Sequence, residues 1–503
     1  MSSEQVRPAP GTIGDEGEAR LEFPTSELRT RTARGGFLNA LFLGGTQGIV
    51  LLQGLIVTVL LGPSEVGLYG IVTVTAMSIV ELRRVGIDEA FVQQEAESQE
   101  REFEMAFTLE LVIGALAAVC IAIMAPIVAV VYGQPELLPL CLAVSYLPVA
   151  FALQAPQWIF FRRMDFLRLR ALQIAVPAVT FAVTVPLALA GVGVWSLIIG
   201  PLAGNLVAIV AGLKLSPYRL RLRVDLASWR RYLAFSSPIF LTSIAMLALA
   251  QGQIALVGIP SGLEWAGFMT VALMLVRYAD RADQIVATTI YPAICAIPGR
   301  IAALEELFEK SNRLTLIWTL SFCATLMLFA GDLVQFILGA AWEPAVPLIV
   351  GMAAAAGIQQ FGYNWFSFYR AQGNSRPQAV ESWTLVCVFV VLSVPGYLIF
   401  GVWGLVVGRV IASCAMVAVR WVYIERLLPN VRLLPLVVSA GWPVVAAGIV
   451  IVGLKLAVGT GGGAALALAE LILWVAMLAA LFWSRERLLL EELRSYLRAP
   501  ESI

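Results

Sequence analysis

Two adjacent arginines, Arg83 and Arg84, lie in the stretch Glu81-Leu82-Arg83-Arg84-Val85-Gly86-Ile87-Asp88-Glu89, directly after the uncharged residues Val66 to Val80. A charged side chain at bilayer depth costs roughly 2.5–3.5 kcal/mol. Arginines there need a wet cavity, a partner or a place at the membrane edge. A second cluster, Arg277, Asp280, Arg281 and Asp283, interrupts another apolar segment, and the uncharged run Ile285 to Ile297 follows it. At about 1.5 Å per residue, that run keeps Arg277 within the embedded part of the chain. The carboxylates beside the arginines, Asp88, Asp280 and Asp283, are the candidates for coupling to an ion.

Composition sets the medium in which these groups work. The chain is 59% hydrophobic and only 14% charged, where a soluble domain carries about 25% charged residues. It reads as a polytopic, all-α membrane protein. Histidine is absent, which removes the commonest transition-metal ligand and the easiest proton shuttle. The six cysteines stand in apolar stretches without a CxxC pair, so they read as small core residues. No metal, cofactor or nucleic-acid partner is expected. The formal net charge is zero, so the distribution of charge has to carry the electrostatic argument.

A helix needs about 20 mainly apolar residues to span a bilayer. That rule places about 14 spans: six in residues 36–213, six in 232–427 and two more in 428–483. Residues 1–35 read as an unstructured tail, 214–231 as a linker between the sixes, and 484–503 as an amphipathic tail. Leu489, Leu493 and Leu497 recur there at four-residue spacing, as a helix lying on a membrane surface requires. Twenty-eight of the 34 basic residues fall in the tails and every second connection, and the opposite connections hold only Lys455. Basic loops stay in the cytoplasm, so both termini are expected there. The opposite connections are short turns such as Leu61–Glu65 and Gly339–Glu343, with no loop large enough to carry an enzyme's catalytic groups outside.

The two sets of six resemble each other. Phe161-Arg162 answers Tyr369-Arg370, and Gly193-Val194-Trp195 answers Gly401-Val402-Trp403, both at a spacing of 208. Gly62-Pro63 resembles Ile259-Pro260, and Tyr132-Gly133 resembles Leu338-Gly339. Copies six spans apart share an orientation, and parallel duplications build two lobes around a central cavity. The second span then corresponds to the eighth, which sets Arg83 and Arg84 against Arg277 and Arg281 across the lobe interface.

These residues carry a resemblance to the Wzx-type oligosaccharide flippases, from the superfamily that also contains multidrug extruders and the lipid II flippase. It runs from about Arg34 to Trp483. Its carriers are Leu61-Gly62-Pro63 with Gly67-Leu68-Tyr69, then Gly86 with Ala90-Phe91-Val92-Gln93, and Arg162-Arg163-Met164-Asp165-Phe166 with Arg168. In the second half they are Tyr291-Pro292-Ala293 and Leu338-Gly339 followed by Trp342-Glu343-Pro344-Ala345-Val346-Pro347-Leu348. Relatives commonly place an acidic residue where this chain has Arg84.

The resemblance implies two pseudo-symmetric six-helix lobes plus two extra C-terminal helices. It implies a monomer in the bacterial cytoplasmic membrane that moves an undecaprenyl-diphosphate-linked oligosaccharide outward by alternating access. A surface polysaccharide would be the end product, with a polymerase and glycosyltransferases as neighbours and membrane lipids as surroundings. A diphosphate needs cations, and guanidinium forks suit phosphate oxygens: Arg83, Arg84, Arg277 and Arg281 are the ones available. Gln47, Gln53, Asn205, Gln251, Gln253, Gln359, Gln360 and Asn364 are the polar residues for a glycan-accepting cavity, or else make interhelical hydrogen bonds. Arg409 is expected to pair with Asp332 or Glu343, or else to belong to an outward exit path, and Glu110, Glu381 and Glu470 are bundle-facing or ion-coupling. The alternatives are an ion-coupled small-molecule exporter and a membrane component of polysaccharide assembly. Drug exporters of this kind commonly carry an acidic residue in the first span, and Gly36 to Leu61 contains none.

Overall fold

The computed structural model describes residues 25–83, 87–93, 98–163, 165–281, 286, 290, 294, 301–372, 376–458 and 463–498. Among them the regular structure is entirely helical. Eleven helices are long and apolar enough to cross a membrane. One of these, Gly44–Glu81, contains the first two expected spans, because the chain leaves helical geometry at Gly62 (φ 78°, ψ 172°). The expected seventh span falls in the helix Leu226–Ser261, and Leu263–Val276 begins the expected eighth, most of whose last sixteen residues lie outside those described. Among the described residues, the eleven membrane-length helices, one of them covering two expected spans, account for twelve of the expected fourteen.

Backbone conformation corrects one element of the sequence repeat. The counterpart of Gly62 is Gly262 (φ 92°, ψ −177°), the break between those two helices, and not Ile259. A left-handed φ with extended ψ is open to glycine and strained for other residues, so matching the prolines aligned the wrong turn. The eighth segment differs as well. Its α-helix stops at Val276 and tightens to a 3-10 turn over Arg277–Asp280. At the two ends, a helix begins at Thr25, inside the segment expected to be a tail, and Ala464–Arg498 runs as one helix into the expected C-terminal tail.

Small residues let the helices approach closely, the usual device in a medium where lipid is as apolar as leucine. A Cβ on Gly200 would lie 1.8 Å from Thr184 Oγ1, and one on Gly408 would lie 2.6 Å from Ser393 Oγ. The same helix pairing therefore recurs in both halves. Between the halves, one buried core joins Ile71 and Ala76 to Met269, Ala272 and Trp342. Trp342 meets Phe268 edge-on at 5.8 Å. Reporter fusions at residues 220 and 340 are expected to read opposite sides of the membrane, and the same side for both would overturn the placement of basic connections.

Candidate functional site

The site is built where the helix containing Arg277 changes pitch. Carbonyls at a tightened turn lose their α-helical partners, and no water is available in lipid to replace them. The helix Ile301–Leu333 supplies the substitutes. Thr319 Oγ1 donates to the Ala279 carbonyl at 3.1 Å, and Trp318 Nε1 to that of Tyr278 at 3.4 Å. The Tyr278 hydroxyl donates at 3.5 Å to the carbonyl of Gln47, which ties the turn to the first half.

Asp280 sits inside this turn and accepts from Gln360 Nε2 at 2.5 Å. It lies within electrostatic reach of Arg281, Arg277 and Arg409. Arg409 is buried at 6% exposure. Its Nε donates to Gln253 Oε1 at 3.2 Å and its Nη1 to Ser413 Oγ at 2.8 Å. Gln359, with its amide oxygen turned toward the guanidinium, accepts from Nη1 at 2.9 Å and Nη2 at 2.6 Å. The sequence expectation that Arg409 pairs with Asp332 or Glu343 is corrected. Asp332 pairs with Lys455, which also reaches Glu470 at 3.3 Å, beside a cavity of about 660 Å³ that Glu343 lines. That assembly joins the helices Ile301–Leu333, Leu433–Val458 and Ala464–Arg498.

Gln359 and Gln360 stand at a second helix break, held by a charge pair the sequence did not place. Arg420 is 1% exposed, and its Nε meets Glu381 Oε1 at 2.6 Å. Its Nη1 donates to the carbonyls of Gln359 and Phe361 at 2.5 and 2.8 Å, the groups orphaned where the helix Val346–Gln359 ends. Tyr363 lies under the guanidinium, 5.6 Å from it. Arg420 counts among the twenty-eight basic residues assigned to tails and connections, and that assignment is corrected: it is a buried residue inside the helix Val402–Leu427. The first half has a comparable break at Gln154, but amides hold it. Gln154 Nε2 donates to Asn205 Oδ1 at 2.8 Å, and Gln157 to Gln154 at 3.0 Å.

Of the expected site residues, the structure brings Asp280, Arg277, Arg281 and Gln359 into one neighbourhood. Gln251 is half-buried and donates to the Val74 carbonyl at 2.5 Å, a link between the halves. Asn364 is fully buried, with Nδ2 at 3.5 Å from Ser311 Oγ, the interhelical alternative. Gln53 is half-buried and Asp88 exposed. Arg84, Asp283 and the side chain of Arg83 lie outside the described residues. Arg409 and Ser413 are the additions, beside Gln253 and Gln360 of the expected polar set. The signal that could have joined them was a lone arginine in an apolar span, with Gln253 and Gln359 on two other spans as its partners.

Residues 56–347 match the family described as "Polysaccharide biosynthesis protein". The chain belongs to that family. The succinoglycan biosynthesis transport protein ExoT of Rhizobium meliloti is 24% identical to this chain over 340 residues, 67% of this chain and 68% of ExoT. Among solved structures, the lipid II flippase MurJ in an inward closed conformation matches with a TM-score of 0.70 at 12% identity, covering 90% of this chain and all of MurJ. A multidrug-resistance MATE transporter in an inward-facing conformation matches at 0.63 and 15%, covering 77% and 96%. This polysaccharide biosynthesis protein is thus a multi-pass membrane protein with the fold of flippases and exporters, and its relatives are transporters, not enzymes.

Proposed function

We propose that the chain translocates an undecaprenyl-diphosphate-linked oligosaccharide across the bacterial cytoplasmic membrane by alternating access between two pseudo-symmetric lobes, for export of a surface polysaccharide. The observation that carries this reading is the Arg277–Arg281 turn, backed by buried Arg409 and anchored to Gln47 of the other half. Guanidinium groups at that depth are costly unless an anion or a wet cavity repays them. Arg277 is exposed, so it can meet a diphosphate, with Arg281 beside it and Arg83 and Arg84 as the expected partners from the first half. Asp280 is the coupling candidate, because its carboxylate already shares a field with three arginines. The basic tails and connections support a topology with both termini in the cytoplasm.

The MATE-like fold favours a second reading, an ion-coupled exporter of small molecules. The absence of any acidic residue in Gly36 to Leu61 argues against it. Deleting the gene in its native host is expected to abolish one surface polysaccharide while its lipid-linked precursor accumulates inside. The Arg277→Ala variant is expected to reach the membrane and fail to restore export. Normal surface glycan in the deletion strain would remove the lead, and full rescue by Arg277→Ala would remove that arginine from the site.

A further inference from the structure

A second cationic site lies away from the Arg277 turn, where the linker between the sixth and seventh spans crosses the start of the helix Gln99–Val131. The linker has no helical structure over Ser216–Asp225. Alternate residues of an extended chain point the same way, so Arg219, Arg221 and Arg223 share one side. With Arg101 and Glu100 they line a depression of about 390 Å³ whose walls are almost wholly polar.

The wall is a built one. Glu104 is buried at 4% exposure, and the Arg223 Nε meets its Oε2 at 2.9 Å. The Arg223 amide donates to the buried Thr108 hydroxyl at 2.8 Å, and the Arg219 amide to Glu100 Oε1 at 3.5 Å. Tyr218 wedges the linker in place, with its ring 5.9 Å from that of Phe103 and 5.1 Å from the Arg163 guanidinium. Four arginines thus face two carboxylates, one of them already matched to Arg223. Ser98, at the cap position of the helix and itself on the wall, makes no side-chain capping bond. The helix start adds a partial positive charge, which Glu100 and Glu102 of its first turn partly offset.

We propose that this depression binds a phosphate-bearing anion. The four arginines and their forked donors select phosphate oxygens. Two sources share that chemistry: the headgroup of an anionic phospholipid at the membrane surface, and a soluble phosphate or diphosphate. A bound anion would bridge Arg219 and Arg221 of the linker to Arg101 of the helix, fixing the only covalent join between the two sets of six spans.

The test uses the full-length purified protein. Pyrophosphate is titrated against it in neutral detergent, and phosphatidylglycerol retention is measured by native mass spectrometry after isolation from phosphatidylcholine nanodiscs doped with that lipid. The double variant Arg219→Gln/Arg221→Gln is compared with Arg168→Gln/Arg370→Gln, which removes the same charge from exposed positions elsewhere. Loss of two phosphate-facing arginines is expected to weaken binding about thirtyfold, with no change in the melting temperature of the ligand-free protein. Binding of both probes assigns the shared phosphate chemistry. Retention of the lipid alone assigns a headgroup, and binding of pyrophosphate alone assigns a soluble anion. The proposal is overturned if neither probe binds, if the linker variant binds as the wild type does, or if the two variants lose affinity equally.

Discussion

Arg420→Ala is expected to unfold the second half of the protein at a markedly lower temperature than the wild type. Breaking a buried ion pair from one side costs about 3–5 kcal/mol, because the abandoned charge has no solvent. Here Glu381 would be that charge, at 4% exposure. The carbonyls of Gln359 and Phe361 would lose their donor in the same step, and each unsatisfied buried group adds about 1–3 kcal/mol. The glutamines at the break would then no longer be held against Arg409 and Asp280, so transport should fall with stability. A compensated variant, Arg420→Met with Glu381→Leu, separates the two contributions. It removes both charges and is expected to recover the ion-pair part of the loss and not the part due to the carbonyls. Fluorescence-detected melting in detergent reads this directly, and a wild-type melting temperature for Arg420→Ala would show that the pair holds nothing.

The second large effect is expected at the crossing of the two halves. A Cβ on Gly67 would lie 2.0 Å from the Leu263 carbonyl oxygen, and one on Gly267 would lie 2.1 Å from that of Pro63. The contact is reciprocal: each glycine meets the residue four positions before the other. Because the obstructing atoms are backbone, no rotamer relieves the clash, and the helices must separate. Overpacking typically costs about 1–3 kcal/mol, and the larger figure applies where neither side yields. Gly67→Val and Gly267→Val should each abolish transport and lower the melting temperature. Gly453→Ala, whose Cβ would meet nothing within 4 Å, should do neither. Normal transport by Gly67→Val would show that the helices do not touch there in the working protein.

Much of the fold was legible because lipid leaves a chain few options. Hydropathy marks spans, basic residues mark one face, and Arg277 and Arg281 stood out by their cost. What the sequence hid was pairing. Arg409 and Asp332 looked like natural partners on charge alone, yet Asp332 is taken by Lys455 and Arg409 is satisfied by amides and a hydroxyl. Linear order carries no information on which of two acids faces a given arginine. Arg420 was obscured for a different reason. Near the end of a span it satisfied the rule for basic connections, and the rule does not say whether the side chain turns outward to water or inward to Glu381. At the repeat spacing of 208 its counterpart is Gly212, and that of Glu381 is Gln173, so the pair is a feature of the second copy alone. Comparing the copies for such paired differences would have exposed it. The turn at Gly262 was missed because residue identity, not backbone conformation, had been aligned.

The bonded state of Arg420 and Glu381 has an electrical consequence. A charge carried through the full membrane potential gains or loses about 2.3 kcal/mol per 100 mV. A guanidinium and a carboxylate 2.6 Å apart that travel as one body transfer no net charge, so the field exerts no net force on the pair, only a torque. The second half can therefore carry the bonded pair through the proposed rocking motion without the membrane voltage opposing or driving it. Any voltage dependence of the cycle has to arise from charges that move without a bonded counterion, and Arg420 and Glu381 are not among them.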